Sequence, residues 1–340
     1  MRKIYTVLVI FLITVFLFSI TLELAYRNHW LDFYKPELLG LNPKEVLHSE
    51  KKKVLVCGDS FSADPNSFVK VLRDSLQDYA VVNGAVPGTG IAQHELYIKN
   101  RIEEFSPDIF IYQFYVGNDL FDISHPHASH KISNLRSWYW WLSDRMLSLA
   151  FLNYRFAGVR YSIYDDGGGN YKPKEKDEFS IENYSKREKL NYLAEPSLIE
   201  NTLFLKQERQ KDYADLAKKF SEIIHTLSLK TQIYFVIIPH QSQISQEYFN
   251  RHKLVGSISS VPYYSLDEQS LQLYVQLREL CLKNRITFVS PLDAFRNYEF
   301  KEEIYYSNDP HLKITGHRII SQMLLEEIER SKVNKQQPAK

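Results

Sequence analysis

Three kinds of polar residue stand where acyl chemistry needs them. Ser60 ends the triplet Gly58-Asp59-Ser60, directly after the apolar run Val54-Leu55-Val56-Cys57. Gly88 lies in a small-residue loop that begins at Asn83-Gly84, Asn118 lies in Gly117-Asn118-Asp119, and His311 follows Asp309-Pro310 near the C-terminus. Hydrolysis of an acyl ester by serine needs a base for the hydroxyl proton, an acid to orient that base, and preorganised donors for the oxyanion. Ser60 can be the nucleophile, His311 the base and Asp309 the orienting acid. The backbone N–H groups of Ser60 and Gly88 and the side-chain amide of Asn118 can be the donors. Taken alone, a serine after a strand and a glycine reads more readily as the cap of the next helix. The ordered set, not the serine by itself, points to a nucleophile.

The elements that must position these residues are legible in the periodicity. Four buried-type residues without alternation suit a strand covered on both faces, and in open α/β sheets chemistry sits just past the strands' carboxyl ends. Phe68, Val71, Leu72 and Leu76 fall at helical spacing, a short strand covers residues 79–83, and a helix over 93–105 stops at Ser106-Pro107. A third strand, 108–116, ends at Gly117-Asn118-Asp119. Right-handed crossovers in such a β-α-β-α-β unit gather the three polar loops at one edge. Further on, the pattern predicts a helix over 205–229, a strand over 231–238 ending at Pro239-His240-Gln241, a helix over 265–284, a short strand over 286–289 and a last amphipathic helix over about 313–329. His240 reads as a solvated loop residue. Regularity lapses over 120–205, which reads as an insertion. It holds His125, His127 and His130, which lack carboxylate or cysteine partners at fixed spacing and read as a solvated loop before a metal site. It also holds Trp138-Tyr139-Trp140-Trp141, readable as a lid, a glycan-stacking platform, a membrane-interface patch or a packed helix. Gly167-Gly168-Gly169 lacks the strand-to-helix setting of a phosphate loop.

The N-terminus predicts a membrane span. Residues 4–22 carry no charge, follow Arg2-Lys3, and as a helix would be about 28 Å long, close to the hydrocarbon thickness of a bilayer. The exit at Leu22-Glu23-Leu24-Ala25 is a poor cleavage site, so an uncleaved signal anchor is expected. The basic start favours a cytoplasmic N-terminus and an extracytoplasmic remainder, in the cell envelope or periplasm. The expected organisation is an anchor over 1–24, a juxtamembrane connector over 25–50, a catalytic domain over 51–331 and a disordered polar tail over 332–340.

Composition narrows the remainder. A formal charge of +1 over 340 residues leaves no basic field for nucleic acid. The two cysteines, Cys57 and Cys281, form no zinc-binding spacing, and nothing demands that they pair.

Over residues 53 to about 329 the chain resembles the SGNH (GDSL-type) hydrolase superfamily. Its four blocks are matched by Gly58-Asp59-Ser60, by Gly88, by Gly117-Asn118-Asp119, and by Asp309-x-His311 ahead of Gly316-His317. The N-terminal anchor is similar to that of the membrane-tethered bacterial branch. The resemblance implies a flavodoxin-like three-layer α/β/α sandwich with a central five-stranded parallel sheet. It also implies hydrolysis of esters or thioesters, a shallow pocket shaped by insertions, and no metal or other cofactor. Many members carry Asp three residues before the histidine, where this chain has Asn308, which cannot supply a full negative charge. Asp309 is therefore the expected acid, with Pro310 restricting its geometry. That spacing also occurs in acetyltransferase-like relatives. The expected activity is hydrolysis of O-acetyl or lipid esters. The alternatives are an O-acyltransferase acting on envelope glycans and a catalytically silent assembly protein that keeps the fold.

Overall fold

A computed structural model of the chain describes residues 2–28, 30–32, 34–124, 142, 146, 148–149 and 177–336. The expectations for His125, His127, His130, the Trp138–Trp141 stretch and Gly167–Gly169 lie outside the described residues. The chain divides into two compact units, residues 1–35 with 131–171, and residues 36–130 with 172–340.

The first unit is built on helix α1 (Arg2–Arg27). Its apolar stretch within Lys3–Arg27 is not buried and is long and apolar enough to cross a membrane. The hydroxyls of Thr14, Ser19 and Thr21 each donate to the carbonyl four residues back, so the helix satisfies its own polar groups. At its end Glu23 pairs with Arg27 and accepts from the backbone N–H and hydroxyl of Ser148.

The second unit holds a five-stranded parallel sheet of order β2-β1-β3-β4-β5. Its strands are β1 (Lys52–Cys57), β2 (Tyr79–Asn83), β3 (Ile109–Tyr115), β4 (Gln232–Ile238) and β5 (Thr287–Val289). This is the flavodoxin-like order, as expected. The register runs Val54 against Val81 and Ile109, and Ile109 against Gln232. Central β3 is buried along its whole length, which is why its sequence shows no alternation.

Between strands lie α2 (Ser60–Ala63), α3 (Phe68–Ser75), α4 (Ile91–Phe105), α5 (Lys186–Ala194), α6 (Leu198–Leu203), α7 (Arg209–Ile224), α8 (Gln246–Leu254) and α9 (Gln272–Lys283); α10 (Ile314–Gln336) closes the chain. The crossover from β1 to β2 and that from β2 to β3 run in opposite directions, so right-handed connections put α3 and α4 on opposite faces. α10 packs on α3, and α7 packs on α4, which completes three layers.

Three boundaries differ from the periodicity. α7 begins at Arg209, because Leu205 and Gln207 take positive φ values of 50° and 53° and interrupt the helical path. α9 begins at Gln272, after a 3₁₀ turn over Glu268–Ser270 capped by Asp267. α10 continues to Gln336, past the end expected near residue 329; there Tyr234 donates to Ser331 at 3.2 Å and Lys332 pairs with Glu329 at 2.8 Å. Within the expected insertion, α5 and α6 form part of the larger unit.

Candidate active site

Strand order alone puts the loop after β1 between the loops after β2 and β3. Ser60 therefore has the Gly88 loop on one side and the Asn118 loop on the other. β1 stops at Cys57 because Gly58 must pass Gln113. A Cβ on Gly58 would come within 2.3 Å of Gln113 Oε1. That same oxygen accepts from Asp59 N–H and from the Ser62 hydroxyl, both at 3.0 Å. Asp59 caps α2, accepting from Phe61 N–H at 2.9 Å. Ser60 is thus held at the first residue of a short helix by a buried strand glutamine and a capping aspartate. The cap of this helix is Asp59, so the reading of Ser60 itself as a helix cap does not hold.

The C-terminal loop brings the base. His311 Nε2 lies 2.8 Å from Ser60 Oγ. Asp309 Oδ1 hydrogen-bonds His311 Nδ1 and also accepts from His311 N–H at 2.9 Å. Asn308 points elsewhere: its Nδ2 donates to the Glu178 carbonyl and its Oδ1 accepts from Ser180 N–H, each at 2.7 Å. Burial pushes the Asp309 carboxyl up, but the hydrogen bond and charge of His311 outweigh it and hold the group below its ordinary value. Burial pulls His311 down, and the Asp309 hydrogen bond and charge more than reverse this, leaving it above its ordinary value. The His311 side chain is 40% exposed, so the imidazole remains open to a substrate.

The expected oxyanion donors sit at the flanks. Gly88 has φ of 70°, the left-handed region that favours glycine, with no atom within 4 Å of where a Cβ would lie. Its loop is tied to the nucleophile turn, since Val86 N–H donates to the Gly58 carbonyl at 3.0 Å. Thr89 donates to the Val86 carbonyl and meets buried His94, whose other ring nitrogen lies 2.9 Å from Tyr112 Oη. Burial pushes His94 down to about 3, so it serves as a neutral brace. Asn118 donates one amide hydrogen to Asp122 Oδ2 at 2.5 Å, and Arg187 holds that oxygen at 2.8 Å. An amide carries two hydrogens, so Asn118 keeps a second one for an oxyanion.

Sequence reasoning missed Gln113, His94, Asp122 and Arg187. It also misread His240, which is not solvated: it is fully buried, with Nε2 2.7 Å from Glu188 Oε1. The turn after β4 folds inward under helices α5 and α8. Glu188, His240 and His252 there place one ligating atom each within 4.8 Å of the others. Burial pushes both histidines down to about 3 and Glu188 up.

No family model matches the chain, and no curated protein matches it. Among solved structures it is similar to a lipase/acylhydrolase from Enterococcus faecalis, at 11% identity over 85% of this chain and 99% of that one, with a TM-score of 0.39. A GDSL-like lipase from Bacteroides thetaiotaomicron matches at 12% identity over 88% and 100%, with a TM-score of 0.40. A catalytic mutant of an acetylxylan esterase from Geobacillus stearothermophilus matches at 12% identity over 82% and 94%, with a TM-score of 0.39.

Proposed function

We propose that this chain is a serine ester hydrolase of the SGNH (GDSL-type) superfamily, anchored in a membrane by α1 with its catalytic unit outside the cytoplasm. The observation that carries the reading is the relay Ser60–His311–Asp309, with Ser60 Oγ 2.8 Å from His311 Nε2 and Asp309 on the opposite ring nitrogen. Ser60 Oγ attacks the acyl carbonyl carbon while His311 Nε2 takes its proton. Asp309 keeps the Nδ1 proton in place and supports the imidazolium that forms. Ser60 N–H, Gly88 N–H and the second Asn118 amide hydrogen receive the negative oxygen of the tetrahedral intermediate. Collapse breaks the ester C–O bond, and His311 returns the proton to the leaving alcohol. Water, activated by the same histidine, then releases the acid and restores Ser60. An O-acyl glycan or a lipid ester at a membrane surface is the substrate class this reading favours.

The test is labelling by a fluorophosphonate probe, together with hydrolysis of p-nitrophenyl acetate, by the full chain in detergent. The expected result is both activities in the wild type and neither in Ser60→Ala, with unchanged thermal stability. Labelling that persists in Ser60→Ala, or none in folded wild type, would overturn the assignment. Product analysis with a glycan acceptor present separates water from a sugar hydroxyl as the second nucleophile.

A further inference from the structure

We propose that Glu188, His240 and His252, with the Tyr192 hydroxyl at the fourth vertex, form a closed binding site for one zinc ion beneath the His311 loop. Glu188 and Tyr192 lie one turn apart on α5, His240 follows β4, and His252 is on α8, so the site joins three separate segments. The four residues are between 0 and 7% exposed. Glu188 Oε1 is 2.7 Å from His240 Nε2 and 3.6 Å from His252 Nδ1. Tyr192 Oη is 3.2 Å from Glu188 Oε1, 3.3 Å from His240 Nε2 and 2.8 Å from His252 Nδ1. Ligands about 2.0–2.1 Å from a tetrahedral zinc are about 3.3 Å from one another, and the observed separations straddle that edge.

The hydrogen bonds around the cluster hold its side chains in place. Gln241 Nε2 donates to the carbonyls of Asp309, at 2.6 Å, and Tyr306, at 3.3 Å. Its Oε1 then faces His252 Nε2 at 3.2 Å, with the Tyr184 hydroxyl also 3.2 Å from that nitrogen, and it accepts in the tautomer that protonates Nε2. His252 Nδ1 is left with a lone pair directed at the Glu188 carboxylate. Without a metal, the Tyr192 hydroxyl serves His252 Nδ1 at 2.8 Å and His240 Nε2 serves Glu188 Oε1 at 2.7 Å. Zinc would take the place of these protons, since metal binding releases protons from its ligands. On the outer side of His240, Nδ1 lies 2.6 Å from the Ser242 hydroxyl and accepts from Ser242 N–H at 3.2 Å. Outward partners of this kind fix the ring orientation of metal-bound histidines. With all four positions filled by protein and none open to solvent, the site is structural, not hydrolytic. Through Gln241 it fastens α5 and α8 to the backbone of the Asp309 loop.

The rival is a purely hydrogen-bonded cluster, with His240 Nε2 donating to Glu188 and the Tyr192 hydroxyl to His252 Nδ1. The test uses tag-free full chain in detergent, independent of any esterase activity. Metal content is measured as isolated, after chelation, and after incubation with zinc chloride and desalting. The expected result is about one zinc per chain, with chelation lowering Tm and zinc restoring it by about 5–10 °C. Glu188→Gln and His252→Ala should hold no zinc and show no zinc-dependent Tm, whereas Ser60→Ala should bind like the wild type. Less than about 0.1 zinc per chain after incubation, with no Tm response, would overturn the site. So would equal zinc in the wild type and Glu188→Gln. Should His252→Ala fail to fold, the wild-type titration alone still decides.

Discussion

Gly58→Ala, read together with Gln113→Ala, probes the contact that presents the nucleophile. A Cβ at position 58 would lie 2.3 Å from Gln113 Oε1 and 2.9 Å from Gln113 Cβ, on a strand buried along its whole length. Overpacking of this kind costs about 1–3 kcal/mol. The glutamine must also withdraw its oxygen from Asp59 N–H and the Ser62 hydroxyl, and each buried donor left unpaired costs about 1–3 kcal/mol. Gly58→Ala alone should therefore destabilise by about 3 kcal/mol or more. Gln113→Ala abandons the same two donors and opens a cavity. It also relieves Gln113 Nε2, which finds no partner among the described residues, so about 3 kcal/mol is expected. In the double variant the two hydrogen bonds cannot be lost twice and the closest contact is gone. The remaining approach of the two Cβ atoms keeps rescue incomplete. The double variant should thus be about 2 kcal/mol more stable than the sum of the singles. Thermal unfolding of the four proteins in detergent, followed by near-UV circular dichroism, measures this. Additivity within about 0.5 kcal/mol would refute the contact as the reason for glycine at position 58.

The proposed base makes a pH prediction with a definite sign. Catalysis needs neutral His311, and Asp309 holds its pKa above the ordinary value despite burial. Ester hydrolysis should accordingly fall as pH drops through an apparent pKa above about 6.5; a midpoint below that value in a kcat/KM profile would contradict the arrangement. Asp309→Asn should lower kcat by about 10³–10⁴-fold while leaving Ser60 in place; near-normal turnover would dismiss Asp309 as the orienting acid. Asn118→Ala should cost about 10²–10³-fold in kcat with KM little changed, the signature of a donor used in the transition state. Asn308→Asp keeps the acceptor for Ser180 N–H but loses the donor to the Glu178 carbonyl. It should destabilise by about 1–3 kcal/mol without improving activity, and a gain in rate would mean that position 308 can serve as the acid.

The sequence by itself determined the order of strands and helices, the edge of the sheet at which Ser60, Gly88 and Asn118 fall, and the apolar length of the N-terminal helix. These follow from local properties: unbroken apolar runs, glycine at strand ends, and a stretch of uncharged residues. Helix ends were less legible, because Ser331 and Lys332 are held in α10 by Tyr234, far away in the chain, and by a side-chain pair one turn back. The sequence favoured Asp309 over Asn308 as the acid by charge alone, and only the tertiary structure showed the Asn308 amide engaged with Glu178 and Ser180 instead of the imidazole. Only the tertiary structure revealed Gln113 as the brace of the nucleophile turn, 54 residues from Asp59. The same holds for the Glu188, His240 and His252 cluster, whose members are separated by 52 and 12 positions with no periodicity between them. Such residues meet because right-handed crossovers and helix packing fold distant segments together, and no pattern along the chain encodes that meeting.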